Sequence, residues 1–167
     1  MGGAGARGLQ RPFQNVSYRF RGDSAGGRTR MENPMDNREG LPLRAAVIDD
    51  DHDMVKVIRV MLKVKGIETI EAFSGISGYA LVKRERPDIV LLDIMMPDID
   101  GFEVMRKLRL DSETEHIPII FISARAGREH VERGLSLGAQ GYVTKPFRPD
   151  DLVAKIIEVL DLTSDSA

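Results

Sequence analysis

The chain predicts an α/β domain built on a five-stranded parallel sheet with helices on both faces. Three observations carry that expectation. Five short apolar runs recur between residues 43 and 143, each followed by a stretch whose apolar residues return every three or four positions. Most runs are apolar throughout rather than alternating, as strands buried on both faces are. Gly, Pro, Ser and Asp punctuate the junctions between runs and periodic stretches.

Leu43–Ile48 is the first predicted strand. Met54, Val55, Ile58, Met61 and Leu62 follow at helical spacing, and Gly66 suits the end of that helix. Ile67–Phe73 reads as the second strand. Ser74 can N-cap a helix with Ile76, Tyr79, Ala80 and Val82 on its apolar face, and Pro87 ends the unit. Ile89–Leu92 is the third strand, followed by a helix over Gly101–Leu110 carrying Phe102, Val104, Met105 and Leu108. Ile117–Ile122 is the fourth, and its helix, Arg128–Leu137, closes at Gly138. Gln140–Val143 is the fifth. Pro149 opens the last helix, with Asp150 and Asp151 at its positive dipole end and Leu152, Val153, Ile156, Ile157 and Leu160 on its apolar face. Right-handed crossovers suit the doubly wound strand order 2-1-3-4-5, with a ligand crevice where strands one and three diverge. The predicted domain spans residues 43–161, with residues 1–42 as an extension and 162–167 as a short polar tail.

Charge and composition limit the function. The formal net charge is −2, but residues 1–30 hold six arginines (Arg7, Arg11, Arg19, Arg21, Arg28, Arg30), no lysine and one acid, Asp23. That segment is +5, which leaves −7 on residues 31–167. A body this acidic makes a poor general nucleic-acid binder, and no direct DNA binding is expected. The extension reads as disordered, or as an over-long start with Met31 or Met35 nearer the folded body. Phe13, Tyr18 and Phe20 among the arginines hint at a basic contact arm, the less favoured reading. There is no cysteine, which excludes disulfides and thiolate metal sites and suits a reducing, cytoplasmic setting. No apolar stretch is long enough to span a bilayer, and the N-terminus lacks the apolar core of a secretory signal.

The chemistry gathers at strand ends. Asp93 closes the run Ile89-Val90-Leu91-Leu92 and opens a loop containing Pro97 and Gly101; Asp49-Asp50-Asp51, Ser123 and Lys145 stand at three other strand ends. In the predicted order Asp49, Asp50 and Asp93 crowd one crevice. Like charges so close repel, and a hard divalent cation relieves them; oxygen-only donors point to Mg²⁺. A carboxylate nucleophile, a magnesium ion, a hydroxyl and an ammonium group together suit phosphoryl transfer. His52, His116 and His130 share no metal-binding spacing. Asp51, Asp53, Asp98 and Asp100 read as surface or capping residues.

The pieces Val47-Ile48-Asp49-Asp50-Asp51, Leu91-Leu92-Asp93-Ile94-Met95-Met96-Pro97, Gly101, Phe121-Ile122-Ser123-Ala124 and Tyr142-Val143-Thr144-Lys145-Pro146-Phe147 come in order, one per strand end. With them, residues 43–161 resemble the receiver domain of two-component response regulators, including the single-domain chemotaxis regulator. The resemblance implies a flavodoxin-like fold, with Asp93 as phosphoacceptor. Asp50 binds Mg²⁺ directly and Asp49 mainly through water, while Asp93 and the Met95 backbone carbonyl complete the ligands. Lys145 pairs with a phosphoryl oxygen. Ser123 bonds the phosphoryl group once it arrives, and Tyr142 turns from exposed to buried. The Lys145-Pro146 peptide is cis, and side chains at Met95 and Arg125 tune the phosphate lifetime.

On this reading the protein is no enzyme beyond self-phosphorylation on Asp93 and its reversal. A sensor histidine kinase or a histidine phosphotransfer protein is the donor. Residues 128–160 form the face for an unknown output protein, and the state is monomer or phosphorylation-dependent dimer. The chain stops soon after the last helix, so no output domain is expected; a single-domain regulator or a receiver fragment of a larger protein both fit. The rival is a haloacid-dehalogenase-like phosphatase with Asp49 as nucleophile and Asp51 as general acid, set back by the lack of a later paired acidic motif. A non-phosphorylated scaffold is countered by the intact acidic triplet. A nucleotide-binding domain lacks its Gly-rich loop.

Overall fold

The computed structural model describes residues 19–22, 29–32 and 42–164. Two strands, β1 (Arg19–Gly22) and β2 (Thr29–Glu32), pair antiparallel in a sheet of their own. The sequence reading of residues 1–42 as an extension named no strand there. Four-residue strands with one apolar pair in register, Phe20 opposite Met31, among charged and small neighbours are too short to give a period-2 signal. The rest of that extension lies outside the described residues.

The main sheet has five strands: β3 (Arg44–Ile48), β4 (Glu68–Ala72), β5 (Ile89–Leu92), β6 (Ile119–Ser123) and β7 (Gly141–Thr144). They run parallel in the spatial order β4-β3-β5-β6-β7, which is 2-1-3-4-5 within the domain. The helices are α1 (His52–Val64), α2 (Gly75–Glu85), α3 (Gly101–Leu110), α4 (Arg128–Ser136) and α5 (Pro149–Ser164). Observed and expected boundaries agree to within two residues, except that α5 runs to Ser164, into the expected polar tail. Residues 165–167 lie outside the described residues.

Successive strand residues face opposite ways, so each central strand feeds two cores. Ala45, Val47, Ile89, Leu91, Ile120 and Ile122 pack with Val55, Ile58 and Leu62 of α1 and with Leu152, Ile156 and Val159 of α5. Ala46, Ile48, Val90, Leu92, Ile119 and Phe121 pack with Val82 of α2 and with Phe102, Val104, Met105 and Leu108 of α3. This two-sided burial is why the strands read as continuous apolar runs.

Helix α2 departs from its expected face. Ile76 is 61% exposed and Ala80 is exposed, while Gly75, Gly78 and Val82 are the buried positions. The helix lies so close to β3 that a Cβ at Gly78 would stand 2.5 Å from a methyl of Ile48. Val82 and Tyr79 do face the core as expected, but glycine carries no hydropathy, so a pattern read from apolar side chains misses Gly75 and Gly78 and adds Ile76 and Ala80.

Candidate functional site

The carboxyl ends of β3 and β5 diverge at the crevice. Backbone bonds extend the ladder by one residue beyond each strand: Asp49 N–H donates to Ala72 O (3.1 Å) and Asp93 N–H to Ile48 O (2.8 Å). Lys145 N–H likewise donates to Ser123 O at 2.8 Å. Asp49, Asp93 and Lys145 are thereby fixed by sheet backbone rather than by loop packing. Asp49 and Asp93 are buried, Asp50 is exposed, and oxygens of the three carboxylates lie within 4.8 Å of one another.

Lys145 Nζ donates to Asp49 Oδ2 at 2.6 Å and to Asp93 Oδ1 at 3.2 Å. The other Asp49 oxygen accepts from the Asp51 N–H (2.9 Å), and Asp93 Oδ2 accepts from the Met95 N–H (2.9 Å). Burial raises the Asp93 pKa; the Lys145 charge opposes that and the Asp49 charge adds to it, with a net upward shift. Burial also works against the Lys145 cation, but the bond to Asp49 and the charges of Asp49 and Asp93 outweigh it, and its pKa is raised. The pocket thus has more negative than positive charge. Asp49, Asp50 and Asp93 form an all-oxygen donor set that fits a hard divalent cation.

Ser123 is the last residue of β6 and is fully buried. Its Oγ accepts from the Arg125 N–H at 3.2 Å, and the Tyr142 hydroxyl donates to Arg125 O at 2.7 Å. One peptide segment is therefore held by both expected switch residues. The Tyr142 ring is half-buried, tilted against Phe121 with centroids 6.2 Å apart. The Lys145-Pro146 peptide is cis. Met95 is 53% exposed, and Arg125 is exposed.

Asp51 and Asp100 are N-caps of α1 and α3, and Asp53 is exposed. Asp98 has a role that the sequence does not show. Its oxygens accept the Gly75 N–H (2.9 Å) and the Ile76 N–H (2.8 Å), so the loop after Asp93 caps the first turn of α2. Desolvation works against the Asp98 charge, but the N–H groups of Ile76, Gly75 and Ile99 with the Ser74 hydroxyl overcome it and lower its pKa to about 2. A lowered pKa gives stability that is complete above the unfolded value of 3.8 and lost as pH falls through the folded one. Asp98 is exposed and screened, so Asp98→Ala should cost about 1 kcal/mol at pH 7, the size of a lost cap. Urea unfolding should show that deficit vanish toward pH 2; a deficit persisting there would assign the loss to loop packing.

Sheet order, helices on both faces and an acidic crevice at the carboxyl edge define a flavodoxin-like fold of the chemotaxis-regulator type. Solved structures agree: a receiver domain protein from Methanospirillum hungatei matches at TM-score 0.70 and 28% identity, over 75% of this chain and 99% of that one. The chemotaxis response regulator CheY4 of Vibrio cholerae matches at TM-score 0.68 and 27% identity, over 71% and 99%. The chain belongs to the response regulator receiver domain family, whose model matches residues 45–157. It is 38% identical over 117 residues to the phosphate regulon transcriptional regulatory protein PhoB of Pseudomonas aeruginosa, covering 70% of this chain and 51% of that protein. The probable transcriptional regulatory protein TcrX of Mycobacterium tuberculosis is 34% identical over 129 residues, covering 77% and 54%. The chain spans about half the length of these relatives. Relatives named as DNA-binding regulators stand against the expectation of no direct DNA binding, although the match covers only half of each. Receiver domains are two-component signalling modules, served by histidine kinases. Among the described residues no helix is long and apolar enough to cross a membrane.

Proposed function

We propose that Asp93 accepts a phosphoryl group from a phosphohistidine of a sensor kinase or phosphotransfer protein. The observation that carries this is the Lys145 ammonium held between two buried carboxylates, with Asp50 exposed beside them. An Asp93 oxygen attacks phosphorus, the new P–O bond forms as the donor's P–N bond breaks, and the electron pair returns to the imidazole nitrogen. Mg²⁺ bound by Asp50 and Asp93, by Asp49 through water and by the Met95 carbonyl would neutralise charge on the phosphoryl oxygens. Lys145 moves from Asp93 to a phosphoryl oxygen and keeps its bond to Asp49. Ser123 Oγ turns from the Arg125 N–H to the phosphoryl group, and Tyr142 follows inward. Water later attacks phosphorus, the P–O bond to Asp93 breaks, and inorganic phosphate leaves; Met95 and Arg125 side chains set how readily that water arrives. Residues 128–160 present the altered face to an output protein, and the reading carries a cytoplasmic location with it.

The phosphatase reading loses ground to the geometry. The Asp51 carboxylate accepts the Met54 and Asp53 N–H groups as the α1 cap. The Met54 N–H chiefly, against slight desolvation, keeps its pKa below the usual value, which is wrong for a general acid.

Intact-mass spectrometry after incubation with a small phosphodonor and Mg²⁺ tests the proposal. One phosphoryl adduct is expected, dependent on Mg²⁺ and absent in Asp93→Asn. An adduct on folded Asp93→Asn would overturn the assignment.

A further inference from the structure

A ring of contacts starts and ends at Ile48, the residue before Asp49. Ile48 O accepts the Asp93 N–H. The loop that leaves Asp93 is tied at its base, where the Gly101 N–H donates to Ile94 O. Its outer limb, Asp98 and Ile99, lies on the first turn of α2. Both Asp98 oxygens accept N–H groups there, and a Cβ at Gly75 would stand 2.5 Å from Ile99 Cγ1 and 2.5 Å from Ile99 O. Helix α2 is in turn seated on β3, with a Cβ at Gly78 2.5 Å from Ile48 Cγ2, which closes the ring.

Met95 lies within this ring. Its N–H is held by Asp93 Oδ2, and Asp98 anchors the limb three residues on; Pro97, between them, has no N–H to contribute. The Asp98 side chain does more than α2 needs for itself. Ser74 already caps that helix, its Oγ accepting from the Ser77 N–H at 3.1 Å. A second acceptor, brought from 22 residues further along the chain to the Ile76 N–H, joins two segments rather than ending one helix. Asp98 is exposed, so these bonds and not burial give it its place.

We propose that Asp98 is a positioning residue for the metal site: it clips the Asp93 loop to α2 and so fixes the Met95 carbonyl relative to Asp49 and Asp50. The inference rests on the Mg²⁺ reading above. A carboxylate suits the task because its two oxygens take two N–H groups at once, setting direction as well as distance. Asparagine has one acceptor oxygen and turns an NH₂ toward the other N–H, so it keeps half the clip. Because α2 is seated on Ile48, the loop and the Asp49-Asp50 pair share one frame.

Calorimetric Mg²⁺ titration of the full chain tests it. In Asp98→Ala the Mg²⁺ dissociation constant should rise about tenfold, the scale for losing a group that orients a ligand, and in Asp98→Asn it should rise less. The Mg²⁺ concentration giving half-maximal adduct formation should rise in step, while the rate at saturating Mg²⁺ stays within about threefold of wild type. Without metal, the Met95 amide should exchange about fivefold faster in Asp98→Ala. Ser74→Asp separates placement from helix stability. Added to Asp98→Ala, it supplies a carboxylate cap from the helix's own segment, and it should restore stability to urea while Mg²⁺ affinity stays weak. Recovery of Mg²⁺ affinity in that double variant would overturn the inference, because α2 stability alone would then account for the loss. So would an unchanged Mg²⁺ constant, or unchanged Met95 exchange, in Asp98→Ala. Wild type that binds no Mg²⁺ would overturn the metal reading, and the metal-free exchange of Met95 then decides the clip by itself.

Discussion

Lys145→Met is expected to destabilise the Mg²⁺-free protein by about 3 kcal/mol at pH 8, because removing one partner strands buried charge. The Lys145 side chain is 16% exposed, and those of Asp49 and Asp93 are 3% and 6% exposed, so water does little to screen what remains. The sign of the pH dependence follows from Asp93. Burial, with the Asp49 charge, raises its pKa, and Lys145 is the main force holding it down. Without Lys145 it rises further, so the folded state binds a proton that the unfolded state has released above about pH 4. Stability then falls as pH rises through the folded value, and the deficit against wild type should shrink as pH is lowered toward 4. Urea unfolding at pH 4 and pH 8 reads this directly. A deficit equal at both would show that Lys145 acts through packing of its stem rather than through charge. Mg²⁺ should stabilise the variant more than the wild type, since a cation that binds only the folded state relieves the stranded carboxylates. The rate of adduct formation should fall about hundredfold or more at saturating phosphodonor, the scale for losing one preorganised positive group at developing oxyanions.

The sequence displayed this fold where burial was two-sided and hid it where glycine or long polar side chains did the packing. β5 and β6 are fully buried and were legible as runs; Asp93 and Ser123 were legible because they follow or close such runs, and Lys145 because it follows the half-buried β7. The buried side of α2 was legible only at Tyr79 and Val82, since Gly78 faces β3, Gly75 faces Ile99 and Val104, and Ile76 faces away. Asp98 looked like any loop aspartate, because its partners are N–H groups more than twenty residues away in the chain. Arg109 occupies the last turn of α3, where a basic residue complements the helix dipole on any exposed helix. Nothing local distinguishes an arginine that turns inward to bind Ile117 O and Gly138 O. What single-residue pattern carries is the centre of the site; what it lacks is contact between segments distant in sequence.

Gly101→Ala is expected to damage the site and the fold together. Gly101 begins α3 and its N–H donates to Ile94 O at 2.9 Å, which closes the loop that carries Asp93, Met95 and Asp98. A Cβ there would stand 2.2 Å from Asp93 O, 2.9 Å from Ile94 Cα and 3.0 Å from the Asp93 carbonyl carbon. All three are backbone atoms, so no side-chain rotation relieves the overlap; either the loop or the start of α3 must move. The cost should be about 3 kcal/mol or more, in the range of severe overpacking. Because the clash falls on the Asp93 peptide itself, phosphoryl uptake should fall even under conditions where the variant remains folded, since a misplacement of about 1 Å costs about a hundredfold. Gly66→Ala is the control. Gly66 has φ +75 and nothing within 4 Å of its Cβ position, so alanine there meets only left-handed backbone strain. That substitution should cost about 1 kcal/mol and leave uptake unchanged. Circular dichroism melts with adduct mass on both variants separate the cases. Equal uptake per folded molecule in Gly101→Ala and wild type would show that the Asp93 loop absorbs the methyl without moving its carboxylate, and would remove Gly101 from the set of residues that place the phosphoacceptor.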